Sequence, residues 1–244
     1  MYGLIGKTLS HSFSEKYFSE KFLREGIKEC YHLFSIDKIE DLSSLLTEYP
    51  DLKGLNITIP YKETVIPLLT DLSKDAKEIG AVNTVKILKS ENSAILKGYN
   101  TDSYGFKKSL EPLLPSHNLK ALIFGTGGAS KAVKYVLKEI GIDFIEVSRN
   151  QSPNKLTYKD LTVELIKSTG LLINATPVGM YPDSSDCLPI PYSGIGKNHI
   201  CYDLIYNPCK TEFLRRAERN GAKIKNGLEM LHLQAEKAWE IWES

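Results

Sequence analysis

One short run constrains this chain more than any other. Leu119 to Phe124 is an apolar strand, Gly125-Thr126-Gly127-Gly128-Ala129-Ser130 follows at once, and Ala129 to Glu139 then repeats apolar residues at helical spacing. A glycine-rich turn between a buried strand and a helix lets backbone amides approach a pyrophosphate. The amino end of the helix adds partial positive charge. Gly-x-Gly by itself marks many plain tight turns, so the strand before it and the helix after it carry the signal. Ser130 stands where a third small glycine is usual.

The rhythm around this run is regular. Gly141 ends the helix and Phe144 to Val147 makes the next strand, with further buried-strand candidates at Leu171 to Asn174, Ile200 to Leu204 and Ala222 to Ile224. Strands alternating with helices predict a parallel, doubly wound sheet. The strand ending at Val147 continues Ser148-Arg149-Asn150, with Lys155 shortly after. A site for NAD commonly places a carboxylate at such a tip, about 20 positions beyond the glycines. Here an arginine occupies it, and a guanidinium can stack on adenine and pair with a 2′-phosphate. The reading is NADP over NAD; the alternative is a solvated loop charge at Arg149. The segment from Tyr181 to Ser193, rich in Pro and Ser, reads as a mobile surface loop, and Gly227 to Ser244 as an amphipathic helix.

Before Asp102 the pattern is mixed α/β. Strands are expected at Tyr2 to Ile5, Tyr31 to Ile36 and Leu55 to Ile59. Helices are expected around Phe18, Phe22 and Leu23, over Ile39 to Tyr49 and over Thr64 to Ile79, and a hairpin joins Val82 to Leu88 with Ala94 to Gly98. Polar residues gather at the ends of these elements. In His11-Ser12-Phe13-Ser14 two hydroxyls precede a helix and can donate to a carboxylate, although Ser14 taken alone reads better as a helix cap. Asn56-Ile57-Thr58-Ile59-Pro60-Tyr61-Lys62 alternates so that Asn56 and Thr58 share a face. Lys62 falls at the expected first turn of a helix, where the dipole disfavours its ammonium form. A lysine so placed can exchange a proton with an alcohol, but a solvated surface lysine is the ordinary reading. Asn83 in Gly80-Ala81-Val82-Asn83-Thr84 and Asp102 in Asn100-Thr101-Asp102 can bridge or accept from hydroxyls, or serve as turn residues.

Composition excludes several partners. Lys plus Arg total 31 against 30 Asp plus Glu, so the basic excess that phosphate backbones require is missing and nucleic acid is not expected. No apolar run approaches the roughly 20 residues of a spanning helix. The amino terminus lacks the pattern of a secretory signal, and a cytoplasmic location is expected. Cys30, Cys187, Cys201 and Cys209 form no Cys-x-x-Cys pair, so reduced thiols and no metal site are expected.

Taken together these segments resemble the shikimate dehydrogenase family. The resemblance runs in order through Gly3-Leu4-Ile5-Gly6, His11-Ser12-Phe13-Ser14, Asn56 to Lys62, Gly80 to Thr84 and Asn100-Thr101-Asp102. It continues through Gly125 to Ser130, Asn174-Ala175-Thr176-Pro177-Val178-Gly179-Met180, Asp203-Leu204-Ile205-Tyr206, and Gly227-Leu228-Glu229-Met230-Leu231 to Gln234. It implies an NADP-dependent enzyme reducing 3-dehydroshikimate to shikimate, with Lys62 and Asp102 as the catalytic pair. Ser12, Ser14 and Tyr206 would hold the substrate carboxylate, and Thr58, Asn83 and Gln234 would join Lys62 and Asp102 at its hydroxyls. Gly125, Thr126, Gly127, Gly128, Ala129, Ser130, Ser148, Arg149, Thr176, Leu204 and Gly227 would contact the cofactor. The implied architecture is α/β in two domains. Residues 1–102 plus 227–244 form a mixed α/β substrate-binding domain, and residues 103–226 a doubly wound Rossmann-like NADP-binding domain. The carboxy-terminal helix returns to the first domain. The partner is a small-molecule substrate, and the assembly a monomer or homodimer. Glu15 departs from a common family proline, and Ser148-Arg149-Asn150 from the commoner Asn-Arg-Thr. The rival readings are an NAD-dependent quinate/shikimate dehydrogenase and a non-catalytic NADPH-binding sensor on the same fold.

Overall fold

A computed structural model describes residues 1–9, 12–90, 93–115 and 119–244; His11 of the His-Ser-Phe-Ser motif and His117 lie outside the described residues. The chain divides into two compact units, Met1–Thr101 with Ala235–Ser244, and Asp102–Gln234.

In chain order the first unit contains β1 (Tyr2–Gly6), α1 (Phe13–Glu25), β2 (Tyr31–Ser35), α2 (Leu42–Glu48), β3 (Gly54–Ile57), β4 (Asp71–Leu72), α3 (Lys74–Ile79), β5 (Thr84–Ser90) and β6 (Ser93–Tyr99). The six strands form one sheet in the order β2-β1-β3-β5-β6-β4. β1 pairs in parallel with β2 and β3, while β3–β5 and β5–β6 are antiparallel. Alternation along β1 sends Tyr2 and Leu4 into a cluster with Phe18, Phe22, Tyr31 and Trp242. It sends Ile5 to the other face with Leu55, Ile57, Val85 and Ile87. Both faces are covered, which is why β1 has no exposed residue.

Two expectations fail here. The helix read over Thr64 to Ile79 is instead a 3-10 turn at Ile66–Leu68, then β4, then the short α3. Pro67 lacks the amide that a continuous helix needs there, and β4 finds its partners in parallel register beside β6. Leu23, read as part of the α1 stripe, is 86% exposed. Phe18 and Phe22 stand four apart and share the buried face, and the residue after Phe22 turns away from it.

The second unit continues with α4 (Thr101–Leu110, whose first residue belongs to the first unit), β7 (Lys120–Phe124), α5 (Gly128–Glu139), β8 (Asp143–Ser148), β9 (Lys155–Thr157), α6 (Val163–Lys167), β10 (Leu171–Asn174), β11 (Ile200–Asp203), α7 (Glu212–Arg219), β12 (Lys223–Lys225) and α8 (Leu228–Glu243). Its six strands run β12-β11-β10-β7-β8-β9, every pair parallel. Chain order reverses between β7 and β10, as in a Rossmann-type sheet. Leu122 and Phe124 face one core and Ala121 and Ile123 the other, so the continuous apolar runs belong to a sheet buried on both sides. β9 escapes sequence reading because Lys155 to Thr157 is short and half-polar. The loop from Tyr181 to Ser193 also differs from its reading as a mobile surface segment. It carries core residues, Leu188 and Ile190, packed with Phe213 and Leu214.

α8 serves both cores. Met230 packs among the residues of the second unit, whereas Ala235, Ala238 and Trp242 belong to the first. The compact first unit therefore takes only the last ten residues, where the sequence assigns it everything from Gly227. Trp242 donates to the Val85 carbonyl at 3.0 Å and stacks on Tyr2 at 4.8 Å. Trp242→Ala should lower the stability of the first unit by about 3–5 kcal/mol, read from denaturant unfolding followed by circular dichroism.

Candidate active site

The polar side chains of the first unit collect beneath the ends of its central strands. Ser12 occupies the N-cap position of α1 but makes no side-chain cap. Ser14, expected to cap, lies inside the helix as its second residue, two positions past the N-cap at Ser12. Tyr31 donates to Asn56 Oδ1 at 2.7 Å. The Asn56 amide nitrogen donates to the Asn83 carbonyl and to Thr84 Oγ1, each at 3.3 Å. Asn83 then brackets Thr101: its Oδ1 accepts from the Thr101 amide at 2.6 Å and its Nδ2 donates to Thr101 Oγ1 at 3.0 Å. Burial pushes the Tyr31 phenol well above the ordinary tyrosine range, partly opposed by Ser14.

Thr58, half-buried just beyond β3, donates its amide to the Ile5 carbonyl at 2.9 Å. Lys62 follows in a turn, not in a helix, so no helix dipole acts on it and that expectation is corrected. Its carbonyl accepts from the Val82 amide at 2.7 Å, which ties the Lys62 turn to the residue before Asn83. Lys62 is thus held by the first unit. Asp102, the second residue of α4, belongs to the second and is buried.

In the second unit the glycine run wraps the carboxyl end of β7. Gly125 adopts φ +109°, and a Cβ there would lie 2.8 Å from the Ala175 carbonyl oxygen. The glycine therefore supplies both the left-handed backbone and the close approach of the β7 and β10 loops. Gly127 is the N-cap residue of the 12-residue α5, and the space where its Cβ would stand is open. Ser130 is buried and donates to the Gly125 carbonyl at 2.8 Å, closing the turn. Thr126, Gly128 and Ala129 complete a turn whose amides are free of side-chain caps. An open cradle of backbone donors at a helix amino end fits a pyrophosphate.

At the tip of β8, Ser148 Oγ accepts from the Asn150 amide at 3.2 Å, and Arg149 is exposed. The nearest carboxylate of that strand, Glu146, is engaged by Lys134 at 3.0 Å and Lys155 at 3.3 Å. These two ammonium groups hold its carboxyl below the usual range against the opposing effect of burial. The tip itself is cationic, which suits a 2′-phosphate.

The loops after β10 and β11 are welded by a buried network. Asn174 Oδ1 accepts from the amide and hydroxyl of Thr176, at 3.0 and 2.7 Å. Its Nδ2 donates to Asp203 Oδ1 at 3.1 Å. The same Asp203 oxygen accepts from the Ile205 amide at 3.0 Å, and Oδ2 from Thr211 Oγ1 at 2.6 Å. Leu204 and Tyr206, on either side of Ile205, are half-buried, and burial raises the Tyr206 phenol. The Gly227 amide donates to the Ile205 carbonyl at 3.0 Å, and any Cβ on Gly227 would collide with the Leu204 carbonyl. Gln234, nine per cent exposed on α8, donates to the Leu231 carbonyl at 3.0 Å.

Sequence reasoning missed Tyr31 and Asp203 as organisers. Tyr31 gives no signal, since an aromatic opening an apolar strand is ordinary core. Asp203 gives one: a carboxylate closing the apolar run Ile200 to Tyr202 is costly to bury unless its acceptors are used.

Fold and site define a two-unit α/β protein that couples a mixed-sheet unit to a Rossmann-type dinucleotide-binding unit. A family model described as the shikimate dehydrogenase substrate binding domain matches residues 4–85. A Clostridium botulinum protein named shikimate dehydrogenase (NADP+) is 38% identical over 98% of this chain and 95% of its own. Among solved structures, shikimate dehydrogenase 1 of Peptoclostridium difficile superposes with a TM-score of 0.83 at 38% identity, over 99% of this chain and 90% of that one. The Thermus thermophilus shikimate 5-dehydrogenase, solved with NADP(H) and shikimate, gives 0.85 at 31%, over 99% and 92%. The chain belongs to the shikimate dehydrogenase family. Among the described residues no helix is long and apolar enough to cross a membrane, and no cluster of His, Cys, Asp and Glu could hold a metal ion.

Burial, against three hydrogen bonds, raises the Asp203 carboxyl to about 6, while an unfolded aspartate titrates near 4. Its stabilising contribution is complete below about pH 4 and lost as pH rises through about 6. In thermal melts the wild type should lose stability relative to Asp203→Asn across that window, by at most about 3 kcal/mol, and the difference should level off above it. A difference that stays constant with pH refutes the raised carboxyl.

Proposed function

We propose that the chain catalyses the reversible NADP(H)-dependent interconversion of 3-dehydroshikimate and shikimate. The observation that carries this reading is 38% identity over 98% of the chain to a shikimate dehydrogenase (NADP+). The site supports it. Polar side chains in the first unit suit a small hydroxylated acid, and an open phosphate cradle lies beside a cationic strand tip in the second.

When bound, NADPH supplies a hydride from C4 of its nicotinamide ring. The amides of Gly125 to Ser130 would hold its pyrophosphate and Arg149, beside Ser148, its 2′-phosphate, while Thr176, Leu204 and Gly227 would border its nicotinamide end. Ser12, Ser14 and Tyr206 hold the substrate carboxylate by neutral donors. Thr58, Asn83 and Gln234 fix its hydroxyls. As the ring ketone gains hydride, Lys62 donates a proton to the oxygen that becomes the alcohol, and its positive charge stabilises that oxygen before transfer. Asp102 accepts from a substrate hydroxyl and orients Lys62. In the reverse direction Lys62 takes the proton back.

An activity panel crossing shikimate and quinate with NADP+ and NAD+ tests the reading. Formation of reduced cofactor should be fastest with shikimate and NADP+, and no turnover with any pair refutes the enzyme. Lys62→Ala should lower kcat by about 10²–10⁴-fold with KM for NADP+ unchanged, and full turnover in that variant removes the lysine from the mechanism. Arg149→Ala should raise KM for NADP+ by about 10-fold or more without raising that for NAD+; equal changes would mean that Arg149 does not read the 2′-phosphate.

A further inference from the structure

A glycine inside a helix costs stability against alanine, so its presence there calls for a reason in packing or function. Gly105 is such a residue. It lies buried in the middle of α4, three positions after Asp102 and so on the same face of that helix. A Cβ on Gly105 would lie 2.5 Å from the Met230 carbonyl oxygen, and 3.2 Å from both the backbone nitrogen and the Cβ of Gln234. Met230 O and Gln234 N are the acceptor and donor of one helical hydrogen bond of α8. The missing side chain of Gly105 therefore makes room for a single turn of α8, the turn that ends on Gln234. Asp102, Gly105, Met230 and Gln234 all belong to one compact unit.

Neither helix yields easily at this crossing, because the atoms in the way on α8 are backbone. On α4 the Gly105 carbonyl accepts from Ser109 Oγ at 2.7 Å, and the same Oγ stands 2.6 Å from the Tyr202 hydroxyl of β11. The Phe106 ring meets the Tyr202 ring edge-on at 5.1 Å, and Phe106, Leu110 and Met230 share one apolar cluster. The start of α8 is held at Gly227, whose amide donates to the Ile205 carbonyl. A side chain at position 105 tilts α8 about that fixed start, and the displacement falls on Gln234. Returning the Met230 oxygen from 2.5 Å to an ordinary contact of 3.4 Å takes 0.9 Å of movement.

We infer that Gly105 is a positioning residue for the substrate site: by admitting α8 against α4, it fixes where Gln234 stands relative to Asp102. The inference rests on the functional reading above, which places Asp102 and Gln234 on the substrate hydroxyls. The two side chains leave different helices, so their spacing is set where those helices touch, and Gly105 is the residue at the point of contact. Gly105 itself touches no substrate. Its effect passes through Gln234, whose own Cβ lies at the crossing.

Steady-state kinetics of the full chain, with shikimate and NADP+ each varied, test this. Gly105→Ala should lower kcat/KM for shikimate by about 10–10²-fold, the scale of an ångström-sized misplacement, with KM for NADP+ within about two-fold. Gln234→Ala should lower the same constant. Adding Gly105→Ala to it should then cost less than about three-fold more, because the glycine acts through the glutamine. A folded Gly105→Ala variant with an unchanged constant for shikimate reduces the glycine to a structural role and overturns the inference. A KM for NADP+ raised by the same factor, or full multiplicativity with Gln234→Ala, overturns it as well, and the enzyme reading survives all three results. Absence of shikimate oxidation by the wild type overturns the functional reading and this inference with it. Should Gly105→Ala fail to fold, Met230→Ala takes its place, since it loosens the seat of α8 in the cluster shared with α4. Its kcat/KM for shikimate should fall, and fall much less in the Gln234→Ala background; no change, or equal losses in both backgrounds, overturns the inference.

Discussion

The central strands β1, β3, β10 and β11 are buried on both faces, and that constraint organises much of the rest. A strand buried on two sides has no place for a polar side chain along its length. In these central strands the polar residues gather at or near the ends, where they must satisfy one another or meet a ligand. Asn174 and Asp203 close β10 and β11, Asn56 lies within β3 near its end, and Asn83 immediately precedes β5. The candidate site residues stand where apolar burial stops.

The two polar networks solve the same problem in different ways. In the first unit the groups are neutral, so the network is held by matching each donor to an acceptor, and its polarity is set by one backbone carbonyl, that of Asn83. In the second unit a carboxylate stands at the centre, and Asp203 collects Asn174, Ile205 and Thr211. A carboxylate accepts several bonds at once and so joins two loops and a helix start. The cost is a carboxyl that burial keeps nearer its protonated form. The neutral network suits a site that recognises hydroxyls. The anionic one suits a frame holding two loops at the reversal point of the sheet.

Much of the fold was legible because its signals are local. Leu119 to Phe124, the glycine run and the helix to Glu139 were read as strand, turn and helix, and the structure places β7 and α5 within a residue of those bounds. The hairpin of β5 and β6 was legible from two apolar runs facing each other across a polar connection. The helix over Thr64 to Ile79 was misread because two of its residues, Asp71 and Leu72, are claimed by a strand partner 26 positions away, and β9 was missed because its three residues are half-polar. Polar burial hides in the same manner. Tyr31 and Asp203 look like a core aromatic and a strand-end acid until their partners are known.

By itself the sequence determined which residues are apolar, where the turns must fall, and which polar side chains stand at strand ends, because each of these follows from side-chain chemistry and near neighbours along the chain. Only the tertiary structure decided that Tyr31 serves Asn56, that Lys62 sits in a turn, and that Leu188 and Ile190 belong to the core. Those outcomes depend on groups brought together from distant positions. The free energy of a buried hydrogen bond or an apolar contact is set by the partner that arrives, and spacing along the chain does not name that partner.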